Sequence, residues 1–166
     1  MSGERIALIA GSVSLVLIIA VLGIQYLGGL PPCEMCHWQR WPHIAAAIVG
    51  LVGGALIARG ELARNYALPV AALTLLLIAL SGAIGAYQAG VEWGFLPGPA
   101  ACTGGPVHLT GSLNDLDHPV VRCDIAAWRL FGISLAGYNA LVSFATAIWG
   151  ALMMMTFPRA ETEIVK

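Results

Sequence analysis

Residues 6–24 read IALIAGSVSLVLIIAVLGI, a run of 19 residues that contains no Asp, Glu, Lys or Arg. A helix of about 20 residues is needed to cross ~30 Å of hydrocarbon, so this run predicts a membrane-spanning helix. Its apolar core exceeds the roughly 7–15 residues of a signal-peptide core, and no A-x-A cleavage pattern follows it. We therefore expect this first span to be retained in the protein.

Three more charge-free stretches of similar length follow along the chain. They lie between Arg40 and Arg59, between Arg64 and Glu92, and between Arg129 and Arg159. Each stretch is long enough for one span and too short for two. We predict spans at about 6–24, 42–58, 68–86 and 130–155, with outer loops at about 25–41 and 87–129. The predicted fold class is an all-α membrane protein, a four-transmembrane-helix bundle with two extracytoplasmic loops, as a single domain over residues 1–166.

The composition of the whole chain supports this prediction. Hydrophobic residues make up 58% and charged residues 10% of the 166 residues, and the mean hydropathy is +0.82. Soluble domains carry about 25% charged residues, so a soluble enzyme and a disordered chain are both excluded. The net charge is −1 and no basic run occurs, so we expect no nucleic acid partner.

The distribution of cationic residues predicts the orientation in the membrane. Four spans put both termini and the short 59–67 turn on one side and both long loops on the other. Five cationic residues lie on the terminal side and three on the loop side, namely Arg5, Arg59, Arg64, Arg159 and Lys166 against Arg40, Arg122 and Arg129. The positive-inside rule then places the termini in the cytoplasm and both loops outside.

Small residues inside the spans mark candidate helix contacts. Gly50 and Gly54 form a G-x-x-x-G step, and Gly82 and Gly85 lie near one face of the third span. Such residues let helices approach closely in lipid, although glycine is also common in membrane helices without any such role.

All four cysteines lie in the two predicted outer loops. Cys33 and Cys36 form a C-x-x-C in the first loop, and Cys102 and Cys123 lie in the second. An even number of cysteines in an oxidising compartment indicates disulfides. Three pairings are possible, and Cys33–Cys36 with Cys102–Cys123 requires the least movement of the chain.

The surroundings of Cys36 favour a reactive thiol. It precedes the second span, whose helix N-terminus stabilises a thiolate, and Arg40 can lie one helical turn away. Pro42 fits this arrangement if it lies in the first helical turn. Pro31-Pro32 favours an extended approach to Cys33. We therefore expect the reduced Cys36 thiol to have a lowered pKa, which makes it a good leaving group.

Two other interpretations of the cysteines remain open at this point. Both pairs could be structural disulfides that staple the outer loops. A four-thiolate zinc or iron–sulfur site is the other alternative, although such a site normally uses two short knuckles, and Cys102 and Cys123 are 21 residues apart.

Nearly the whole chain resembles the disulfide bond formation protein B family (DsbB), four-helix quinone reductases of the bacterial inner membrane. Residues 32–40, PCEMCHWQR, are similar to the family's P-C-x-x-C-x-x-x-R. Cys123, Trp128, Gly132 and Ser134, followed by Tyr138-Asn139, resemble the stretch that leads into the family's last span. Cys102, preceded by Pro97-Gly98-Pro99, stands where the family's other second-loop cysteine stands.

The resemblance implies a disulfide relay. Cys102 would form the mixed disulfide with a reduced periplasmic DsbA-like thioredoxin-fold oxidase, and the released Cys123 would attack Cys33. Cys36 would then be freed as a thiolate beside a membrane quinone, ubiquinone or menaquinone, held by Arg40. The family implies no metal. A related oxidase dedicated to one partner fits the same residues.

For other polar residues the sequence gives less specific predictions. No histidine lies between Gly82 and Ala101, where some family members carry one, and Gln88 is the nearest polar candidate. We expect solvated or capping roles for the four histidines, His37, His43, His108 and His118. Ser134 and Asn139 are expected to bond between helices.

Overall fold

A computed structural model of the chain describes residues 1–103 and 121–156. Within these ranges the elements follow in the order α1 (Gly3–Tyr26), α2 (Glu34–Ile48), a π-helical turn (Val49–Gly53), α3 (Gly54–Ala58), a 3-10 turn (Arg64–Tyr66), α4 (Ala67–Glu92), β1 (Arg129–Leu130), β2 (Ile133–Ser134) and α5 (Leu135–Thr156). His108, His118, Arg159, Lys166 and part of the predicted second loop lie outside the described residues.

Four helical segments are long and apolar enough to cross a membrane. They are Gly3–Tyr26, the α2–π–α3 segment Glu34–Ala58, Arg64–Glu92 and Leu135–Thr156. The predicted fold class, a four-helix membrane protein, is confirmed. The π-helical turn in the second segment lies where Gly50 brings α1 close to it.

The second span begins eight residues earlier than the predicted 42. Cys33 is the N-cap residue of α2, and its sulfur accepts a hydrogen bond from the backbone amide of Cys36. Pro42 therefore lies inside the helix, and the expectation that it lies in the first turn is wrong. Proline inside a membrane helix leaves one carbonyl, here that of Trp38, without its usual i+4 amide, a cost that membrane helices tolerate.

The third span continues past the predicted end at 86. Helix α4 runs to Glu92 and ends where Gly94 adopts a positive φ of 74°. The amide of Phe95 donates to the carbonyl of Gly90, which closes the helix end. The extra one and a half turns carry Gln88 and Glu92 into the region of the C-x-x-C.

The last helix begins later than predicted, at Leu135 instead of 130. Residues 129–134 form a two-stranded antiparallel hairpin in which Arg129 pairs with Ser134 and Leu130 with Ile133. Its turn residues Phe131 and Gly132 both have positive φ, 49° and 81°. This is the backbone geometry that matches the twist of a tight hairpin. Strands of two residues are too short to show an alternation of apolar and polar residues, so the sequence did not predict them.

Glycines bring the helices together at two contacts. A Cβ at Gly50 would lie 2.6 Å from the carbonyl oxygen of Ala7 in α1, and one at Gly85 would lie 2.8 Å from the carbonyl oxygen of Ala136 in α5. Both glycines therefore allow backbone approach that alanine would prevent, as their spacing predicts.

The two ends of the bundle are distinct. Gly3, at the start of α1, lies against the backbone of Ala67, beside the 59–66 turn. Both disulfides lie at the opposite end, where α2 begins and α4 ends.

Candidate active site

The first disulfide joins Cys33 and Cys36, with their Cα atoms 5.1 Å apart. Cys33 has extended backbone angles, φ −79° and ψ 169°, in agreement with the extended approach predicted from Pro31-Pro32. Cys36 lies in the first turn of α2, where backbone amides have no intrahelical partner and the helix dipole favours negative charge. The local structure is therefore suited to a thiolate at Cys36.

The second disulfide joins Cys102 and Cys123 across the second loop, with Cα atoms 5.3 Å apart. The amide of Cys123 donates to the carbonyl of Cys102 at 2.8 Å. The pairing is thus the one that requires least movement of the chain. No cysteine remains unpaired, and no cluster of three or more candidate metal ligands occurs in the described parts of the chain.

The two disulfides pack together in one buried cluster. Cys33, Cys102 and Cys123 are at most 4% exposed and surround the fully buried Met35. Cys36 is partly buried and packs against the edge of this cluster. The sequence predicted both pairs, and their packing into one cluster brings the two loops together.

Cys36 also lines a cleft between the helices, with a volume of about 200 Å³. One wall is apolar and includes Leu17, Val21 and Ile24 of α1. The other wall carries polar side chains from α2, α4 and α5, namely Gln39, Arg40, His43, Gln88, Glu92 and Asn139. An apolar slot with convergent polar groups is the usual form of a small-molecule site.

Arg40 lies in this cleft, one helical turn beyond Cys36, as the sequence predicted. Its Nη1 donates to Oε1 of Gln25 at 2.6 Å. Its Nε and Oε2 of Glu92 are buried without a hydrogen-bond partner among the described residues. A buried donor without a protein partner, beside an apolar slot, suits a ligand that combines a flat apolar ring with a carbonyl oxygen.

Gln88 of α4 lies directly beside the first disulfide. Its Nε2 is 3.3 Å from Sγ of Cys33 and 3.6 Å from Sγ of Cys36, and it donates to Oε1 of Glu92 at 3.1 Å. Its Oε1 accepts from Nε2 of Gln39 at 2.6 Å. Gln88 is 4% exposed, so these contacts are made in a largely dry environment.

The polar contacts continue from Gln39 into the bundle. Nδ2 of Asn139 donates to Oε1 of Gln39 at 2.8 Å and also lies close to the hydroxyl and carbonyl of Ser81. Oδ1 of Asn139 accepts from His43 at 2.8 Å and from Ser143 at 3.1 Å. Asn139 therefore connects α5 to α2 and α4, as expected.

Two polar expectations need correction. His43 is 3% exposed and bonds to Ser14 of α1 through Nδ1 and to Asn139 through Nε2, so it is neither solvated nor a cap. Ser134 does not bond between helices within the described chain. Its hydroxyl accepts from the amide of Gly137 and caps α5. His37 is exposed, as expected.

Sequence reasoning missed several members of this network, among them Ser14, Gln39, Ser81, Glu92 and Ser143. A serine inside a charge-free span is a weak indication of a hydrogen bond between helices, because polar groups in hydrocarbon need partners. Gln39 and Glu92 lay in predicted loops and gave no such signal.

Comparison with known proteins identifies relatives over most of the chain. The family model described as "Disulfide bond formation protein DsbB" matches residues 3–153. Disulfide bond formation protein B of Azoarcus sp. (strain BH72) is 30% identical over 81% of this chain and 81% of that protein. The protein of the same name from Aromatoleum aromaticum (strain DSM 19018 / LMG 30748 / EbN1) is 27% identical over 80% and 81%. An uncharacterized protein of Rickettsia prowazekii (strain Madrid E) is 24% identical over 90% and 86%. No solved structure matches the chain.

Proposed function

The chain belongs to the DsbB family of disulfide bond formation proteins, and from this premise we propose that it reoxidises a periplasmic DsbA-like partner and passes the electrons to membrane quinone. Membership of the family makes it a disulfide-forming membrane oxidoreductase. The partner, the quinone and the roles of individual residues are the substance of the proposal.

One observation carries the proposal, namely the position of the Cys33–Cys36 disulfide between two different environments. Cys33 packs in the same buried cluster as Cys102 and Cys123, whereas Cys36 lines the cleft beside Arg40. A disulfide placed in this way can exchange with the second loop through one sulfur and transfer electrons into the cleft through the other.

The first half of the relay is a pair of thiol–disulfide exchanges. A thiolate of the reduced partner attacks Cys102, a mixed disulfide forms, and Cys123 leaves as a thiolate. Cys123 then attacks Cys33, the Cys33–Cys123 bond forms, and Cys36 leaves as a thiolate. The number of disulfides is unchanged at each exchange.

The second half of the relay restores both disulfides. The second partner thiol displaces Cys102, so the partner departs with its own disulfide. Cys102 then attacks Cys123 and frees Cys33. When Cys33 and Cys36 rejoin, two electrons and two protons are released, and a quinone, when bound, supplies the acceptor for both and becomes quinol.

Arg40 and Cys36 are the residues that we assign to the acceptor. The Nε of Arg40 is a buried donor without a protein partner in the described chain, which suits a carbonyl oxygen. Its positive charge also favours the Cys36 thiolate and a developing quinol oxygen. The apolar α1 side of the cleft suits the rest of the ring, whether ubiquinone or menaquinone.

The four spans and the family fit a multi-pass inner-membrane protein. We propose that residues 1–166 form one membrane domain, with the termini in the cytoplasm and both cysteine loops in the periplasm. In this orientation the relay meets a secreted partner and the cleft opens to the quinone pool.

The test uses purified protein, a reduced DsbA-like partner and a soluble quinone, and it follows quinone absorbance. We expect Cys33→Ser and Cys102→Ser each to abolish quinone consumption. Met35→Leu is the matched control, since it changes the same buried cluster at nearly constant volume without altering a relay sulfur, and it should retain activity.

Continued quinone consumption in either cysteine variant would contradict the relay. If Cys36→Ser lowered stability and left thiol oxidation intact, the disulfides would be structural staples of the outer loops.

A further inference from the structure

We propose that Gln88 is a catalytic hydrogen-bond donor to the Cys36 thiolate, held in its donating orientation by a one-directional chain of side chains that crosses the bundle. The inference rests on the proposed function, in which Cys36 is released as a thiolate. It adds the side-chain amide of Gln88 to the helix N-terminus and Arg40 as a group that stabilises this thiolate.

The contacts of Gln88 fix the direction of its amide. Its Nε2 lies 3.1 Å from a carboxylate oxygen of Glu92, an acceptor, so the amino group must face this side. The same Nε2 then lies within 3.6 Å of both sulfurs of the disulfide. One N–H of this amino group points to Glu92 and the two sulfurs share the other, while the amide oxygen of Gln88 lies further away, 4.0 Å from Sγ of Cys36.

Gln39 holds Gln88 from the other side. Nε2 of Gln39 is 3.3 Å from the carbonyl of Met35, which can only accept, so the orientation of this amide is also fixed. The amino group of Gln39 thus donates to Oε1 of Gln88 at 2.6 Å. A flip of Gln88 would bring two donors together and is disfavoured.

Asn139 fixes Gln39 in turn. Its Nδ2 faces the carbonyl of Ser81 at 3.3 Å and donates to Oε1 of Gln39 at 2.8 Å. Its Oδ1 therefore faces His43, whose Nε2 must carry the hydrogen. Nδ1 of His43 is then the acceptor for the hydroxyl of Ser14 at 3.1 Å.

The result is a chain of donors that all point toward the disulfide. It runs from Ser14 through His43, Asn139 and Gln39 to Gln88, and all four spans contribute a member. Successive bonds of the same sense polarise one another in a dry interior.

The chain orients groups and does not conduct protons. Amides of Asn and Gln do not act as acids or bases under ordinary conditions, so a proton entering at His43 would stop at Asn139. His43, Asn139 and Gln39 are therefore positioning residues. Gln88 is the member that touches the reacting atoms.

Opening of the disulfide strengthens the contact with Gln88. A hydrogen bond to an ionised sulfur is roughly twice as strong as one to a neutral group, so the N–H of Gln88 favours the open, charged form. The ionisable groups that line the same cleft are Glu92, Arg40, His43 and Tyr138. Among the members of the donor chain, Gln88 is the one whose N–H reaches the sulfurs.

The test measures Cys36 alone, without partner or quinone. In a background of Cys33→Ser, Cys102→Ser and Cys123→Ser, Cys36 is the single thiol, and its alkylation rate is followed against pH. We expect Gln88→Met, which removes the donor at similar length and adds no charge, to raise the pH midpoint by about one unit or more. One unit makes alkylation below the midpoint about tenfold slower.

Two further variants separate orientation from packing. Asn139→Leu touches neither sulfur, and we expect it to shift the midpoint in the same direction because Gln39 and Gln88 lose their fixed orientation. Thr74→Val is the matched control, since Thr74 is fully buried in α4 and its hydroxyl donates to the carbonyl of Val70, away from the donor path. It should leave the midpoint unchanged.

The outcomes are separable from the test of the relay, because no quinone or partner is present. An unchanged midpoint in Gln88→Met overturns the proposal whatever the quinone assay gives. Gln88→Leu, which also lacks the N–H and adds no charge, serves the same purpose if the methionine variant does not fold. A shift in Thr74→Val equal to that in Asn139→Leu overturns the positioning role of the chain.

Discussion

Arg40 combines a permanent charge with a position in the cleft beside Cys36. Its Nη1 donates to Gln25, and its Nε is buried without a hydrogen-bond partner among the described residues. A guanidinium presents its donors in a fixed plane, which a lysine ammonium does not. The side chain is thus suited to hold a flat ligand in one orientation.

Arg40→Ala should weaken quinone use while both disulfides still form. A hydrogen bond to a charged group contributes about 1.5–3 kcal/mol, which corresponds to an increase of roughly ten- to a hundredfold in the apparent KM for quinone. Steady-state quinone reduction measures the effect. Arg59→Ala, at the other end of the same span, is the matched control and should leave the KM unchanged. An unaltered KM in Arg40→Ala would remove Arg40 from the site.

At the scale of single residues, the sequence predicted the disulfide pairing and the position of Arg40 beside Cys36. Cys33, Cys36 and Arg40 are recognisable from their spacing at the start of one helix. Cys102 and Cys123 are recognisable because both lie in the second predicted outer loop. The network around Gln88 is not recognisable in this way. Gln39 and Gln88 are 49 positions apart, and their contact depends on the rotation of two helices about their axes.

At the scale of elements, the charge-free stretches located each span but not its ends. A helix is free to continue past the last apolar residue when a cap or a left-handed glycine lies further on. Cys33 provides the cap before α2, and Gly94 provides the stop after α4. Both extensions lie at the disulfide end, so the sequence placed Gln88 and Glu92 outside the helix that carries them.

Gly50→Ala should destabilise the bundle. Its new Cβ would lie 2.6 Å from the carbonyl oxygen of Ala7, so α1 and the π-helical turn would have to separate. Overpacking of this kind costs about 1–3 kcal/mol. Gly23→Ala is the matched control, since nothing lies within 4 Å of a Cβ there.

Unfolding in mixed detergent micelles, followed by circular dichroism, gives the comparison. The midpoint of Gly50→Ala should fall clearly below that of the parent protein, and that of Gly23→Ala should not fall. Equal midpoints for the two variants would show that the close approach of α1 contributes no stability.

At the scale of the whole molecule, the orientation in the membrane decides whether the proposed relay can meet the proposed partner. The 59–66 turn and the disulfides lie at opposite ends of the bundle. If one end is located on one side of the membrane, the other end must therefore lie on the opposite side. The count of cationic residues predicts that the turn is cytoplasmic. Trp38, Trp41, Trp93 and Trp128 are all at least 41% exposed, as side chains at a membrane interface would be.

Single-cysteine labelling measures the orientation. In a cysteine-free background, a membrane-impermeant maleimide applied to spheroplasts should label Leu27→Cys and not Glu61→Cys, because Leu27 lies at the disulfide end and Glu61 in the turn. Both positions are exposed, so access to the reagent depends on the side of the membrane. The reverse pattern would contradict the proposed topology.

The central claim is that the two disulfides exchange directly through Cys33 and Cys123. In the variant Cys36→Ser with Cys102→Ser, these two cysteines remain as the only thiols, and mild oxidation followed by non-reducing peptide mass spectrometry reports whether they join. The packing of both sulfurs into one cluster predicts a Cys33–Cys123 peptide as the main product. Two free thiols after oxidation of the folded protein would contradict the relay.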